Sequence, residues 1–179
     1  MNKNLKLITL TGVLSAISVA LVVAIHFPIF PAAPYLEYDP ADIPILIGTL
    51  VAGPYMGLIM TVVVSLVQGL TVSAQSGVYG IIMHIIATST LVIVTGLIYK
   101  TRKTKPMAAL GLTAGSIAMA VVMVFANLLI TPRFTGMPVE AVKGLLLPVI
   151  IPFNLIKAGL NSVVASIVFA LVQPYISKK

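Results

Sequence analysis

At 179 residues the chain could be one soluble domain, but 59% hydrophobic and only 8% charged residues, with a mean hydropathy of +1.13, exclude that class, since soluble domains carry about 25% charged residues. The absence of cysteine removes disulfides, thiol nucleophiles and most structural zinc sites together. The net charge of +7 is distributed as membrane topology distributes it, and no tract resembles a nucleic-acid-binding arm, so an integral membrane protein is expected, with the lipid bilayer as a partner and no nucleic acid.

A basic start, Lys3 and Lys6, leads into an apolar run over 7–26, long enough for a bilayer that takes roughly 20 residues. A signal peptide begins the same way, but only His26-Phe27-Pro28 follows where a small-x-small cleavage site would stand, so the run is expected to remain as a spanning helix. Small residues recur along it at Gly12, Ala16, Ala20 and Ala24, a stripe that lets another helix approach closely. That helix belongs either to the chain's own bundle or to a partner.

Residues 27–42 read as a loop: Pro28, Pro31, Pro34 and Pro40 break helices, and Glu37, Asp39 and Asp42 are three of the four acids in the chain. Residues 43–74 are apolar and interrupted only at Gly53-Pro54, which fits one long helix or a hairpin of two. Charge decides between them. Eight of the eleven Lys and Arg lie at Lys3 and Lys6, in the run KTRKTK at 100–105, and at Lys178 and Lys179, and all three groups are expected to be cytoplasmic. An even number of spans must then precede residue 100, which makes Gly53-Pro54 a cytoplasmic turn and the second span a short one, tilted or extended by the preceding loop. The expected fold is an all-α integral membrane protein, one domain over 1–179, with six transmembrane helices at about 7–26, 43–53, 55–73, 78–99, 107–130 and 148–174. Both termini are cytoplasmic, and all four acids, Glu37, Asp39, Asp42 and Glu140, fall outside.

Within the last span, PFNLIKAGLN at 152–161 places Asn154, Lys157 and Asn161 on one helical face. A lysine and two amides at this depth are costly unless they face a cavity or a ligand, so a functional site is the default reading. Asn127 lies about one turn from the outer end of span five, and at 1.5 Å per residue it shares a layer of roughly 10 Å with Asn154 and Lys157. His84 and Gln68 also fall in the outer halves of their spans, whereas the inner half is apolar apart from Ser and Thr, which can bond their own backbone. The pocket is therefore expected to open outward. No ionisable relay crosses the bundle, as a self-sufficient coupled carrier would need, and no Walker A loop is present for ATP hydrolysis. A binding subunit that something else moves fits this pattern.

Blander readings stand beside each residue. Lys157 could snorkel to headgroups, and Asn127 could bond another helix. His84, in an apolar surround, reads as a hydrogen-bonded core residue, and Arg133, Glu140 and Lys143 read as a solvated loop. The histidines have no metal spacing, and the absence of a nucleophile–base–orienter set argues against an enzyme. Schiff-base chemistry at Lys157 lacks an intramembrane carboxylate as counter-ion.

In PYLEYDPADIPILIG (34–48), AGPYMGLI (52–59), ANLLITP (126–132) and IPFNLIKAGLN (151–161), the chain resembles the substrate-binding S components of bacterial energy-coupling factor (ECF) vitamin transporters, most closely the riboflavin-specific type, over nearly its whole length. The resemblance implies a multi-pass protein of the bacterial cell membrane that captures riboflavin outside. It works with a transmembrane T component and two ATPase subunits, toppling in the membrane to deliver its cargo; it holds no cofactor, and only its partners use ATP. Asn127, Asn154 and Lys157 would then bond the flavin ring and ribityl chain, the loop with Leu36 would be a lid, and the stripe at Ala16 and Ala20, flanked by Gly12 and Ala24, looks like the family's AxxxA contact with the T component. A flavin suits such residues: amides match its carbonyl and imide edge, and Phe153, Leu36 and Tyr35 offer apolar walls for its face. Around 78–84, VYGIIMH is more apolar than the riboflavin type and includes His84, which leaves FMN or another vitamin as the alternative ligand. A membrane assembly protein without a soluble ligand is the alternative of a different class.

Overall fold

The computed structural model describes residues 3–176; the basic pair Lys178 and Lys179 lies outside them. The described chain is a helical bundle: α1 Lys3–Ala24, α2 Asp42–Ala52, α3 Pro54–Leu70, α4 Gly77–Arg102, α5 Lys105–Thr135, α6 Val139–Leu145 and α7 Ile151–Ile176. By length and composition four segments can cross a membrane, Leu5–Ala24, Ala74–Arg102, Lys105–Thr135 and Val139–Pro174, while α2 and α3 are apolar but shorter, at 11 and 17 residues.

The break between α2 and α3 follows from two residues. Gly53 has φ +96°, a conformation costly for any residue with a Cβ, and its N–H donates to Thr49 O at 2.9 Å to close α2. Pro54 then opens α3, where a missing N–H costs nothing. The apolar run is a hairpin. Between α4 and α5, close approach depends on the absence of side chains. A Cβ on Gly111 would lie 2.8 Å from Thr95 O, and one on Gly115 would lie 2.9 Å from Leu91 O, both backbone atoms. Thr95 Oγ1 donates to Gly111 O at 3.1 Å across the same seam.

Three boundaries differ from the sequence expectation. Helix α5 runs through Pro132 to Thr135 and stops only at Gly136, whose φ of +73° and N–H to Pro132 O end it. Arg133 therefore belongs to a helix, with its guanidinium donating to Leu129 O, and not to a loop. Glu140 and Lys143 are also helical, on α6, where they form an exposed pair at 3.3 Å. From α6 the chain passes through a π-helical turn, Leu146–Ile150, which accommodates Pro148 and delivers the chain into α7 without a break.

The segment between α1 and α2 folds back over one end of the bundle. Its two-residue strands β1 Phe27–Pro28 and β2 Glu37–Tyr38 pair antiparallel, with Phe27 opposite Tyr38. Ala33 and Leu36 are buried in a small apolar core with Val142, Val149, Ile150 and Phe153, so the loop is packed onto the π turn and the start of α7.

Polarity is inverted relative to a soluble protein. Leu147, Phe125, Leu129, Ile167 and Leu171 are exposed around the bundle, while Asp39, Asp42, Asn127, Asn154, Lys157 and Asn161 are buried inside it. An apolar exterior of this extent suits lipid. On α1, Ser15, Ser18 and Val22 face the bundle, whereas Gly12, Ala16, Ala20 and Ala24 are exposed. The small-residue stripe is thus not used to pack the chain's own helices. It borders a shallow groove whose other side is Met56, Ile59 and Val63 of α3.

Candidate functional site

Pro152 admits α7 to the bundle, and the 3.6-residue repeat then carries Asn154, Lys157 and Asn161 inward. All three are buried. Lys157 Nζ lies 2.7 Å from Asp39 Oδ2 and 3.5 Å from Glu37 O, so it does not snorkel to the surface. Asn161 Nδ2 donates to Asp39 O at 3.0 Å and to Asp42 Oδ2 at 3.2 Å, while its Oδ1 accepts from Tyr38 OH at 3.1 Å. Asn154 Nδ2 donates back to Ile150 O at 2.8 Å, a carbonyl of the π turn.

The carboxylates that receive these donors come from the loop and the first turn of α2. Asp39 Oδ1 accepts the Ala41 N–H at 3.0 Å, which fixes the turn, and Oδ2 accepts from Gln68 Nε2 of α3 at 3.2 Å. Burial is the largest single influence on the Asp39 carboxyl and would raise it, but the Lys157 ammonium, His84 and the hydrogen bonds from Lys157 and the Ala41 N–H together hold it below the usual carboxylate range. Asp42 Oδ1 accepts from Thr88 Oγ1 of α4 at 2.7 Å. Two acids expected in a loop on the outside are therefore the centre of a buried network joining α2, α3, α4 and α7. The expectation that Lys157 lacks a carboxylate nearby is overturned, because the loop folds inward and brings Asp39 to it. His84, expected in an apolar surround, instead places Nδ1 2.7 Å from Ser65 Oγ and Nε2 3.7 Å from Asp42 Oδ1.

Beside this network lies a cavity of about 120 Å³. Tyr35 and Leu36 close it from the loop, with Phe153, Asn154 and Lys157 on the α7 side. Gln68 lines it from α3, His84 from α4, and Met119 and Met123 from α5. A smaller space shares the Tyr35 and Leu36 wall and continues to Tyr79 and Phe134, whose rings lie 5.9 Å apart. A roomier cavity of about 640 Å³ opens at the opposite end, near Gly53, Tyr99 and Lys103, but it touches none of the buried network. Chemistry points to the first: among the described residues, the buried side-chain polar atoms without a partner are Tyr35 OH, Gln68 Oε1 and His84 Nε2, and all three residues line it. An unpaired buried polar atom costs about 1–3 kcal/mol, so a ligand that engages these atoms recovers that energy.

Of the residues singled out in the sequence, Tyr35, Leu36, Phe153, Asn154 and Lys157 converge on this cavity. Asn127 is fully buried on α5 but turned into its own helix, with Nδ2 donating to Met123 O at 2.8 Å and Oδ1 accepting from Thr131 Oγ1 at 2.9 Å. It does not line the cavity, nor does it bond another helix. Asp39 and Asp42 were not read as site residues, and Asn161, read on the same polar face as Asn154 and Lys157, bonds the loop and does not line the cavity. One signal could have found the acids: a buried lysine needs a counter-charge, and three of the four acids lie within 37–42. Among the described residues no group of three or more His, Cys, Asp and Glu could hold a metal.

Apolar walls, a few fixed polar groups and a folded-in loop give this membrane protein a cavity of the kind that small-molecule sites have. The chain belongs to the substrate-specific components of ECF transporters: the model of that family, "ECF transporter, substrate-specific component", matches residues 6–169. It is 29% identical to the riboflavin transporter FmnP of Bacillus subtilis, over 98% of this chain and 96% of that protein. It is 32% identical to the riboflavin transporter RibU of Staphylococcus aureus, over 96% of this chain and 89% of that one. A solved structure described as the S component of a bacterial ECF transporter superposes with a TM-score of 0.78 at 32% identity, covering 98% of both chains. The relatives are transporters and not enzymes, and with its apolar helices the chain is a multi-pass protein of the bacterial cell membrane.

Proposed function

We propose that the chain is the riboflavin-binding subunit of an ECF importer. In this reading it spans the membrane six times with both termini in the cytoplasm, opens its cavity outward, and passes the vitamin inward with a T component and two ATPase subunits. The observation that carries the ligand assignment is the cavity wall formed by Asn154 and Lys157 opposite Tyr35 and Leu36, with Phe153 beside them. Amide and ammonium groups suit the carbonyl edge of a flavin, and the aromatic and aliphatic side chains suit its face. The riboflavin transporters among its relatives support the same ligand.

A phosphorylated flavin is the second reading, and the charges disfavour it. Glu37 and Asp39 line the cavity, where Lys157 is paired with Asp39, and Asp42 stands behind His84. A phosphate would add about two negative charges to that surround. The partner reading rests on the exposed stripe Gly12, Ala16, Ala20 and Ala24, which offers a second transmembrane protein a close approach. Titrating the purified protein with riboflavin and with FMN, following flavin fluorescence, tests the assignment: saturable quenching by riboflavin at lower concentration than by FMN is expected. Indifference to both would point to another vitamin as the ligand of the same family scaffold.

A further inference from the structure

We infer that Gln68 and His84 recognise the hydroxylated side chain of the ligand, with Gln68 Oε1 and His84 Nε2 each accepting from an O–H group. This rests on the flavin reading and assigns two further specificity residues within it.

The orientation of both side chains is determined by what holds their other end. Gln68 Nε2 donates to Asp39 Oδ2 at 3.2 Å, and only the NH2 end of the amide can face a carboxylate, so Oε1 is the atom left over. It is buried, without a partner, on a residue lining the cavity. Ser65 Oγ lies 2.6 Å from Thr61 O and 2.7 Å from His84 Nδ1. A hydroxyl has one hydrogen. Given to Thr61 O, it leaves Ser65 Oγ to accept from Nδ1–H, and His84 Nε2 then carries a lone pair. At 3.7 Å from Asp42 Oδ1, Nε2 is beyond hydrogen-bond reach of that carboxylate. A hydrogen placed beside them is attracted by both.

The α3–α4 wall thus presents two acceptors that need donors, whereas the α7 wall presents the Lys157 ammonium and the Asn154 amide. A flavin ring offers a single imide N–H, which cannot serve two separate acceptors, while the carbonyls that flank it suit the donors of α7. Its ribityl chain carries several hydroxyls, each free to rotate its hydrogen toward an acceptor. The polyol therefore belongs against α3 and α4.

The test compares riboflavin with lumiflavin, which has the same ring with a methyl group in place of the polyol, by fluorescence titration of the purified protein. Gln68→Met and His84→Asn are each expected to weaken riboflavin binding about tenfold more than lumiflavin binding, as loss of a buried hydrogen bond to the polyol does. His84→Asn keeps a polar group near Ser65 but places nothing at Nε2; His84→Gln, which reaches that point, is expected to retain riboflavin binding. Equal losses for the two flavins, or no loss for either, would overturn the assignment. If the unsubstituted protein binds riboflavin no better than lumiflavin, the polyol is not recognised and the inference fails while the flavin reading stands. If it binds neither, the flavin reading itself fails and takes this inference with it.

Discussion

Lys157 Nζ and Asp39 Oδ2 lie 2.7 Å apart, both buried, and join the last helix to a loop 118 residues earlier in the chain. The pair holds the loop over the cavity, and it also means that neither charge can be removed alone without leaving the other unpaired in a low-dielectric interior. Lys157→Met and Asp39→Asn are each expected to destabilise the protein by about 3–5 kcal/mol. The double variant should recover much of that stability in thermal unfolding, yet bind flavin poorly, because the ammonium is lost from the cavity wall. Restored binding in the double variant would show that the lysine only balances charge.

Asn161 connects three groups of the loop and α2: Tyr38 OH, Asp39 O and Asp42 Oδ2. It does not line the cavity, so its effect on a ligand must pass through the loop. Asn161→Ala is expected to speed hydrogen exchange over 33–41 and to raise the flavin dissociation rate more than it lowers the association rate. Unchanged exchange in that segment would contradict the role given to it.

The seam between α4 and α5 should tolerate no side chain at Gly111, where a Cβ meets the Thr95 backbone at 2.8 Å. Gly111→Ala is expected to cost about 1–3 kcal/mol as overpacking does, read as a lower unfolding temperature in detergent. Gly144→Ala, with open space around its Cβ, is the control that should change little.

The exposed stripe on α1 gives a separable prediction. Ala16→Leu and Ala20→Leu add bulk to a face turned away from the bundle and the cavity. Flavin binding by the isolated protein should be unaffected, while co-purification with the T component and flavin uptake by cells should fall sharply. Loss of binding in detergent would show that the stripe supports the fold instead.

Much of this was legible in the sequence, for identifiable reasons. Apolar runs mark the helices because lipid leaves little choice of exterior, and the grouping of Lys and Arg selects a hairpin at Gly53-Pro54 over one long helix. Asn154 and Lys157 were visible because polar residues three apart in an apolar helix share a face. The inward fold of the loop was not visible: Asp39 and Asp42 look like solvated acids until their partners, 118 and 119 residues away, are brought beside them. Asn127 shows the converse. Depth along a helix placed it with Asn154 and Lys157, but depth does not determine rotation, and its amide bonds Met123 O and Thr131 on its own helix and does not line the cavity. The polar surround of His84 depends on Ser65 and Asp42 from two other helices, which no local pattern shows.

The most direct test of the central claim is a riboflavin titration of the purified protein, monitored by flavin fluorescence, with Lys157→Ala in parallel. Saturable quenching by the native protein that the substitution weakens is the expected result. A native protein that leaves flavin fluorescence unchanged, while remaining folded by thermal unfolding, would contradict it.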